Sequence, residues 1–214
     1  MSNYIITIMI GVKSFPLFAV LATIPILTIQ VIRYKKMNFA RVGLDYALIL
    51  YSLCLLSLVF LPLPTMTRAE SLSAHNIQLI PFHFIADIVR ESPLVLSNPH
   101  TYLPALFHGS ILQIIFNVVM TIPFGMFLRY YCGCNRRNVI LYSLLLSLFI
   151  EIGQLTGLFF IYHGSYRLCD VDDLMSNTLG GFLGYEMICH IERFIPSIHA
   201  FDRALPFSKK LLQA

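Results

Sequence analysis

The chain has 214 residues, 57% hydrophobic and 12% charged, with mean hydropathy +0.74 and a formal net charge of +4. Soluble domains carry about 25% charged residues, so this balance excludes an ordinary soluble domain and defines an integral membrane protein. No basic stripe is interleaved with exposed aromatics, which argues against a nucleic-acid partner and leaves the positive charge as a topology signal.

Crossing a hydrocarbon core about 30 Å thick takes about 20 apolar residues. The first twelve residues are apolar and end at Lys13, but no basic n-region or cleavage site marks a removable signal, so the N-terminus is read as retained. Four spans are then predicted over Phe15–Ile32, Tyr46–Leu61, Ile111–Leu128 and Val139–Ile161. A fifth, Leu174–Ile195, requires Glu186, His190, Glu192 and Arg193 to reach the inner headgroups. The predicted class is an all-α polytopic helical bundle with about five transmembrane helices. Its expected organisation is two N-terminal helices over 1–62, a membrane domain with three helices over 63–195, and a tail over 196–214.

Orientation follows the lysines and arginines of short loops, which favour the cytoplasm. Arg33, Lys35, Lys36 and Arg41 fill the first loop, Arg129, Arg136 and Arg137 the third, and Arg203, Lys209 and Lys210 the tail. The segments Pro62–Gly109 and Tyr162–Asp173 are left to face outward. The five cysteines form no disulfide framework, and Cys132 with Cys134 lacks the second pair or nearby histidine that a four-ligand metal site needs, so no metal or cofactor is expected.

Polar side chains inside the spans are the candidates for function. Glu151 lies about 13 residues past Arg137, hence roughly 20 Å above the inner surface at about 1.5 Å per residue. An acidic residue at a span centre costs about 2.5–3.5 kcal/mol, so it must be protonated, paired or set against a wet cavity. Gln154 shares its face at i+3. In the third span Asn117 needs amide partners on a neighbouring helix, while Pro123 and Gly125 read as architectural, Pro123 kinking or breaking the helix. After the fourth span, R-L-C-D-V-D-D-L-M-S-N-T-L-G-G-F-L-G places Asp173 where it can cap a helix starting near Leu174, with Asn177 one turn inside. Gly180 and Gly184 form a strip permitting close helix approach. Arg167, Asp170 and Asp172 are not needed for that cap, and with Glu151 and Gln154 they compose a polar cluster at one membrane face. His163 is the one histidine placed near it.

N-I-Q-L-I-P-F with Pro81 and Phe82, then F-N-V-V-M-T-I-P-F-G, E-I-G-Q and the aspartate segment ending in Gly180, Gly181 and Gly184 resemble, in order, the motif set of the VanZ-like family of bacterial membrane proteins. The likeness runs from Asn76 to Tyr185. It implies functional roles for Asn117, Glu151, Gln154, Arg167, Asp170, Asp173 and Asn177, with Asp172 at a freely varying position. It also implies a link to glycopeptide resistance of the teicoplanin type in the bacterial cell membrane.

Two functional classes remain open. In one, the cluster binds or shields a glycopeptide antibiotic or a lipid-linked wall precursor at the outer leaflet, among membrane lipid, Arg167 meeting an anionic group. In the other, the protein is an intramembrane acid/base enzyme in which Glu151 serves as acid and Asp170 or Asp173 as base or cation ligand. A transporter is disfavoured, because no inverted repeat is visible.

Overall fold

In the computed structural model of the protein, residues 2–61, 77–91, 93, 95, 97–107, 109–162, 165 and 167–204 are described. Asn76, His163, Lys209 and Lys210 lie outside them. Among the described residues the α-helices of five residues or more are α1 (Ser2–Ile29), α2 (Phe39–Phe60), α3 (His83–Glu91), α4 (Tyr102–Leu106), α5 (Gly109–Tyr130), α6 (Arg136–Leu155) and α7 (Val171–Ile191). Strands β1 (Lys36–Met37), β2 (Ile77–Gln78), β3 (Cys169–Asp170) and β4 (Arg203–Ala204) make two small ladders, β1 with β4 antiparallel and β2 with β3 parallel. The chain is all-α in class.

Four helical segments are long and apolar enough to cross a membrane: Ile5–Tyr34, Phe39–Phe60, Gly109–Tyr130 and Arg136–Leu155. Helix α7 has 21 residues but carries Asp172, Asp173 and Glu186, and is not one of the four.

Several boundaries differ from those expected. Helix α1 starts at Ser2 and runs through Lys13, which therefore divides nothing. Helix α5 continues unbroken through Pro123. Helix α6 stops at Leu155, not near Ile161, because Gly157, Leu158, Phe159 and Phe160 all take positive φ, a left-handed turn that no α-helix can continue. Helix α7 begins at Val171 rather than Leu174.

The contacts divide the chain into two compact units. The first comprises 1–62, 129–133 and 188–214. In it α1 and α2 run antiparallel: a Cβ on Gly11 would sit 2.9 Å from the backbone of Cys54, and Thr23 and Tyr46 share a hydroxyl hydrogen bond of 2.8 Å. A π-helical turn over Gln30–Tyr34 ends α1, with Lys35 left-handed at its close. Asn38 then caps α2, its side chain accepting from Arg41 N at 3.0 Å. The same amide donates to Ile198 O at 2.8 Å and to Asp202 Oδ1 at 2.7 Å, holding the returning C-terminal segment.

The second unit comprises 63–128 and 134–187, and its helices are polar within and apolar without. On α6 the buried positions Val139, Ser143, Ser147, Glu151 and Gln154 recur every turn, while Leu141, Leu145, Leu148 and Ile152 are exposed. On α7 the buried stripe is Asp172, Ser176, Asn177, Gly180, Gly181 and Gly184, with Met175, Leu179, Leu183 and Met187 exposed. Water would oppose this arrangement; lipid tails favour it, since association there depends on close packing and hydrogen bonds rather than on burying leucine. The glycines set the spacing. A Cβ on Gly180 would overlap Val118 O and Thr121 Oγ1, one on Gly184 would overlap Ile122 O, and one on Gly125 would overlap the Gly181 carbonyl. Lower on α7, Glu186 is compensated by Arg136 Nη2 at 2.6 Å.

Candidate functional site

The start of α7 decides how the aspartates are used. Asp170 Oδ1 accepts from Asp172 N at 2.9 Å, so Asp170 and not Asp173 is the capping residue. That frees Asp173, inside the first turn, to point toward α5. Its Oδ1 accepts from Asn117 Nδ2 at 2.6 Å, and both its oxygens lie near Gln113 Nε2, at 3.2 and 3.3 Å.

Below this pair the network continues inward. Asn177 Nδ2 donates to Ser147 Oγ at 2.9 Å, Ser147 Oγ lies 3.4 Å from Asp173 O, and Thr121 Oγ1 donates to Asn177 O at 2.8 Å. The Asn177 side chain is only 2% exposed, and its Oδ1 has no hydrogen-bond partner. Native interiors rarely leave a buried acceptor unmet, so this oxygen is the open valence of the cluster.

Glu151 is 1% exposed. Its Oε2 accepts from Asp170 N at 3.1 Å, which ties α6 to the strand leading into α7. Gln154, 5% exposed, lies one turn on; its carbonyl faces Ser165 Oγ at 3.4 Å. Ser165 Oγ also donates to Arg167 O at 2.6 Å, fixing the loop from which the exposed Arg167 side chain acts electrostatically on Asp173. The geometry thus links Asn117, Glu151, Asp170, Asp173 and Asn177, with Gln154 beside them and Arg167 at the rim. Pro123 is exposed on α5, outside the cluster.

Four residues gain roles that sequence reasoning did not give them. Asp172, read as freely varying, is 5% exposed and accepts from Phe82 N at 2.6 Å and Phe84 N at 3.1 Å. It holds the turn at Pro81 and Phe82, where Phe82 has a φ of +62°, and so anchors the start of α3. Gln113 lies one turn before Asn117, and that i, i+4 spacing was the available signal. Ser147 and His83 had no local signal. His83 Nδ1 sits 3.1 Å from Asp87 Oδ2, and both groups act electrostatically on Asp170, so the described histidine near the cluster is His83.

Electrostatics limit the chemistry available. Burial raises the Asp170 carboxyl above the ordinary aspartate value, an effect the Asp172 N–H partly offsets. Burial, with Glu151 beside it, pushes the Cys169 thiol up to about 11, leaving it protonated and unsuited to act as a nucleophile. Among the described residues, no group of three or more histidine, cysteine, aspartate or glutamate side chains is arranged to hold a metal ion.

Around this polar centre the surface is apolar. Leu79, Ile80 and Phe82 precede α3, Ile85 and Val89 lie on it, and Phe160 and Leu168 flank the loop after α6; all are exposed. These features define a helical membrane protein whose polar network lies where the start of α5, the end of α6 and the start of α7 meet. The chain belongs to the VanZ/LLP1 family, the match covering residues 48–193. No curated protein and no solved structure matches it.

Proposed function

We propose that the protein binds or shields an amphiphilic, lipid-linked ligand at the outer leaflet of the bacterial membrane, either a lipoglycopeptide of the teicoplanin type or a lipid-linked wall precursor. The observation that carries this reading is the pairing of an unmet buried acceptor, Asn177 Oδ1, and the Asp173 carboxylate with a rim of exposed apolar side chains from Leu79 to Val89. An amphiphile presents both characters. Its polar head would offer N–H and O–H donors to Asp173 and Asn177, any anionic group would meet Arg167, and its acyl or prenyl chain would lie along the apolar rim. Each buried CH₂ of such a chain contributes about 0.8 kcal/mol, so the tail supplies residence and the cluster supplies selection. Five crossings with α7 as the last, and an outward-facing cluster, are part of the proposal.

A second reading, an intramembrane acid/base enzyme, is favoured by one observation. Glu151 and Asp173 are close enough for the charge of one to act on the other, as in paired-carboxylate sites. Mass spectrometry of lipids and precursors that copurify with the full chain distinguishes the two. A stoichiometric lipid-linked species lost in Asp173→Asn supports binding, whereas incubation with an envelope extract that converts such a species to a new product supports the enzyme.

A further inference from the structure

The first unit contains a cavity of about 630 Å³ that no residue of the polar cluster lines. Its size falls within the roughly 300–1,000 Å³ of small-ligand sites. Its wall carries three guanidinium groups, Arg33, Arg41 and Arg129, against one carboxylate, Glu192. Arg129 is committed: Nε and Nη2 both donate to Glu192 Oε2, at 3.2 and 2.9 Å. Cancelling that pair leaves Arg33 and Arg41 to define the charge of the space.

A basic residue that serves only to set topology should sit in solvent, but Arg41 is 2% exposed. Its guanidinium carbon lies 4.7 Å from the Tyr34 ring centre and 5.3 Å from that of Tyr131, and Nη2 is 3.2 Å from His199 Nδ1. The buried Nε has no hydrogen-bond partner. Asp202 stands 3.8 Å from it, too far for a hydrogen bond, and that carboxylate also accepts from Asn38 and faces Lys36 at 3.9 Å. A buried cationic N–H left unspent is costly and calls for an acceptor. Arg33, exposed beside the Tyr34 ring at 5.9 Å, has no ion pair among the described residues.

We propose that this cavity is a binding site for a phosphate group, carried by a phospholipid headgroup or by a soluble phosphate ester, with Arg41 and Arg33 as its two cationic contacts. Two guanidinium groups lining one cavity suit the several acceptor oxygens of a phosphate better than a single carboxylate. The loops that form the cavity, around Arg33–Arg41 and Arg129–Gly133, are those expected at the cytoplasmic headgroups, where lipid phosphates are at hand. This site is independent of the cluster at the start of α7.

Cys132 lines the cavity and is exposed, whereas Cys134, two residues on, does not line it. The rate of Cys132 alkylation by neutral N-ethylmaleimide, read by peptide mass spectrometry with Cys134 correcting for local pH, therefore reports occupancy. The full chain is purified in dodecyl maltoside, which carries no phosphate, and is compared alone, with phosphatidylglycerol added, and with inorganic phosphate titrated at constant ionic strength. Slower Cys132 modification only with phosphatidylglycerol assigns the lipid headgroup, and slowing by inorganic phosphate assigns the soluble ester. In either case Arg33→Gln, a surface change that leaves the fold intact, is expected to weaken protection roughly tenfold, the loss of one charge-assisted contact. Arg41→Lys, which keeps a charge but not the fork, is expected to weaken it as well. The proposal is overturned if neither phosphate source slows Cys132, or if protection is unchanged in Arg33→Gln.

Discussion

The backbone N–H of Asp170 donates to Oε2 of Glu151 at 3.1 Å, joining the buried end of α6 to the cap of α7. A glutamate 1% exposed in a membrane helix is thereby given a fixed partner. Replacement by Gln keeps an oxygen for Asp170 N and removes only the charge and proton chemistry. Glu151→Gln is accordingly expected to melt near wild type in detergent while losing function. Glu151→Ala strands the Asp170 N–H and should cost about 1–3 kcal/mol. Equal destabilisation by both would reduce Glu151 to a helix bridge.

Asp172 holds two backbone N–H groups, those of Phe82 and Phe84. Hydrogen bonds to a charged group are worth about 1.5–3 kcal/mol each. Asp172→Ala should therefore loosen the start of α3 and raise hydrogen exchange at Phe82–Phe84 by an order of magnitude or more, with Asp172→Asn intermediate. Unchanged exchange there would mean that the turn is held by other contacts.

How much of this was legible beforehand follows from particular residues. The apolar runs disclosed the helices because lipid tolerates little else, and Glu151 stood out as the sole acidic residue of its run. The start of α7 was misplaced by three residues. Asp173 sits directly before the apolar run, where a cap is expected, but the cap is set by Asp170, whose partner is three-dimensional as well as local. The role of Asp172 was hidden for the same reason: its partners lie about 90 positions earlier in the chain. The end of α6 was missed because Leu158, Phe159 and Phe160 are apolar residues in a left-handed turn, a conformation their side chains disfavour.

Glycine contacts give a sharper structural test. A Cβ at Gly125 would overlap the Gly181 carbonyl, so Gly125→Ala must push α5 and α7 apart and should destabilise by about 1–3 kcal/mol. Gly43, in α2, has nothing within 4 Å of the corresponding position. Gly43→Ala is expected to be neutral or stabilising by up to about 1 kcal/mol. Comparable melting temperatures for the two variants would argue against close packing at Gly125.

In the first unit the Asp202 carboxyl is held below its ordinary value chiefly by the Asn38 amide; burial opposes this, and Arg41, His199 and Lys36 add to the lowering. A depressed carboxyl stabilises the folded state above its unfolded value of about 3.9 and loses that contribution as pH falls through the lower folded value. Thermal stability in detergent should therefore drop below about pH 4, and Asp202→Asn should flatten that part of the profile. An unaltered acid limb in the variant would assign the loss to other groups.

Under the proposed function, the cluster around Asp173 acts on a membrane-anchored amphiphile at the outer leaflet. A lipid-tailed glycopeptide is concentrated there by its chain, at about 0.8 kcal/mol per buried CH₂, and a tail-free one is not. The most direct measurement is the inhibitory concentration of teicoplanin and of vancomycin against a susceptible Gram-positive host expressing the protein or its Asp173→Asn variant at matched membrane levels. A rise in teicoplanin tolerance alone, abolished in Asp173→Asn, is the predicted result; equal protection against both drugs, or none against either, would contradict it.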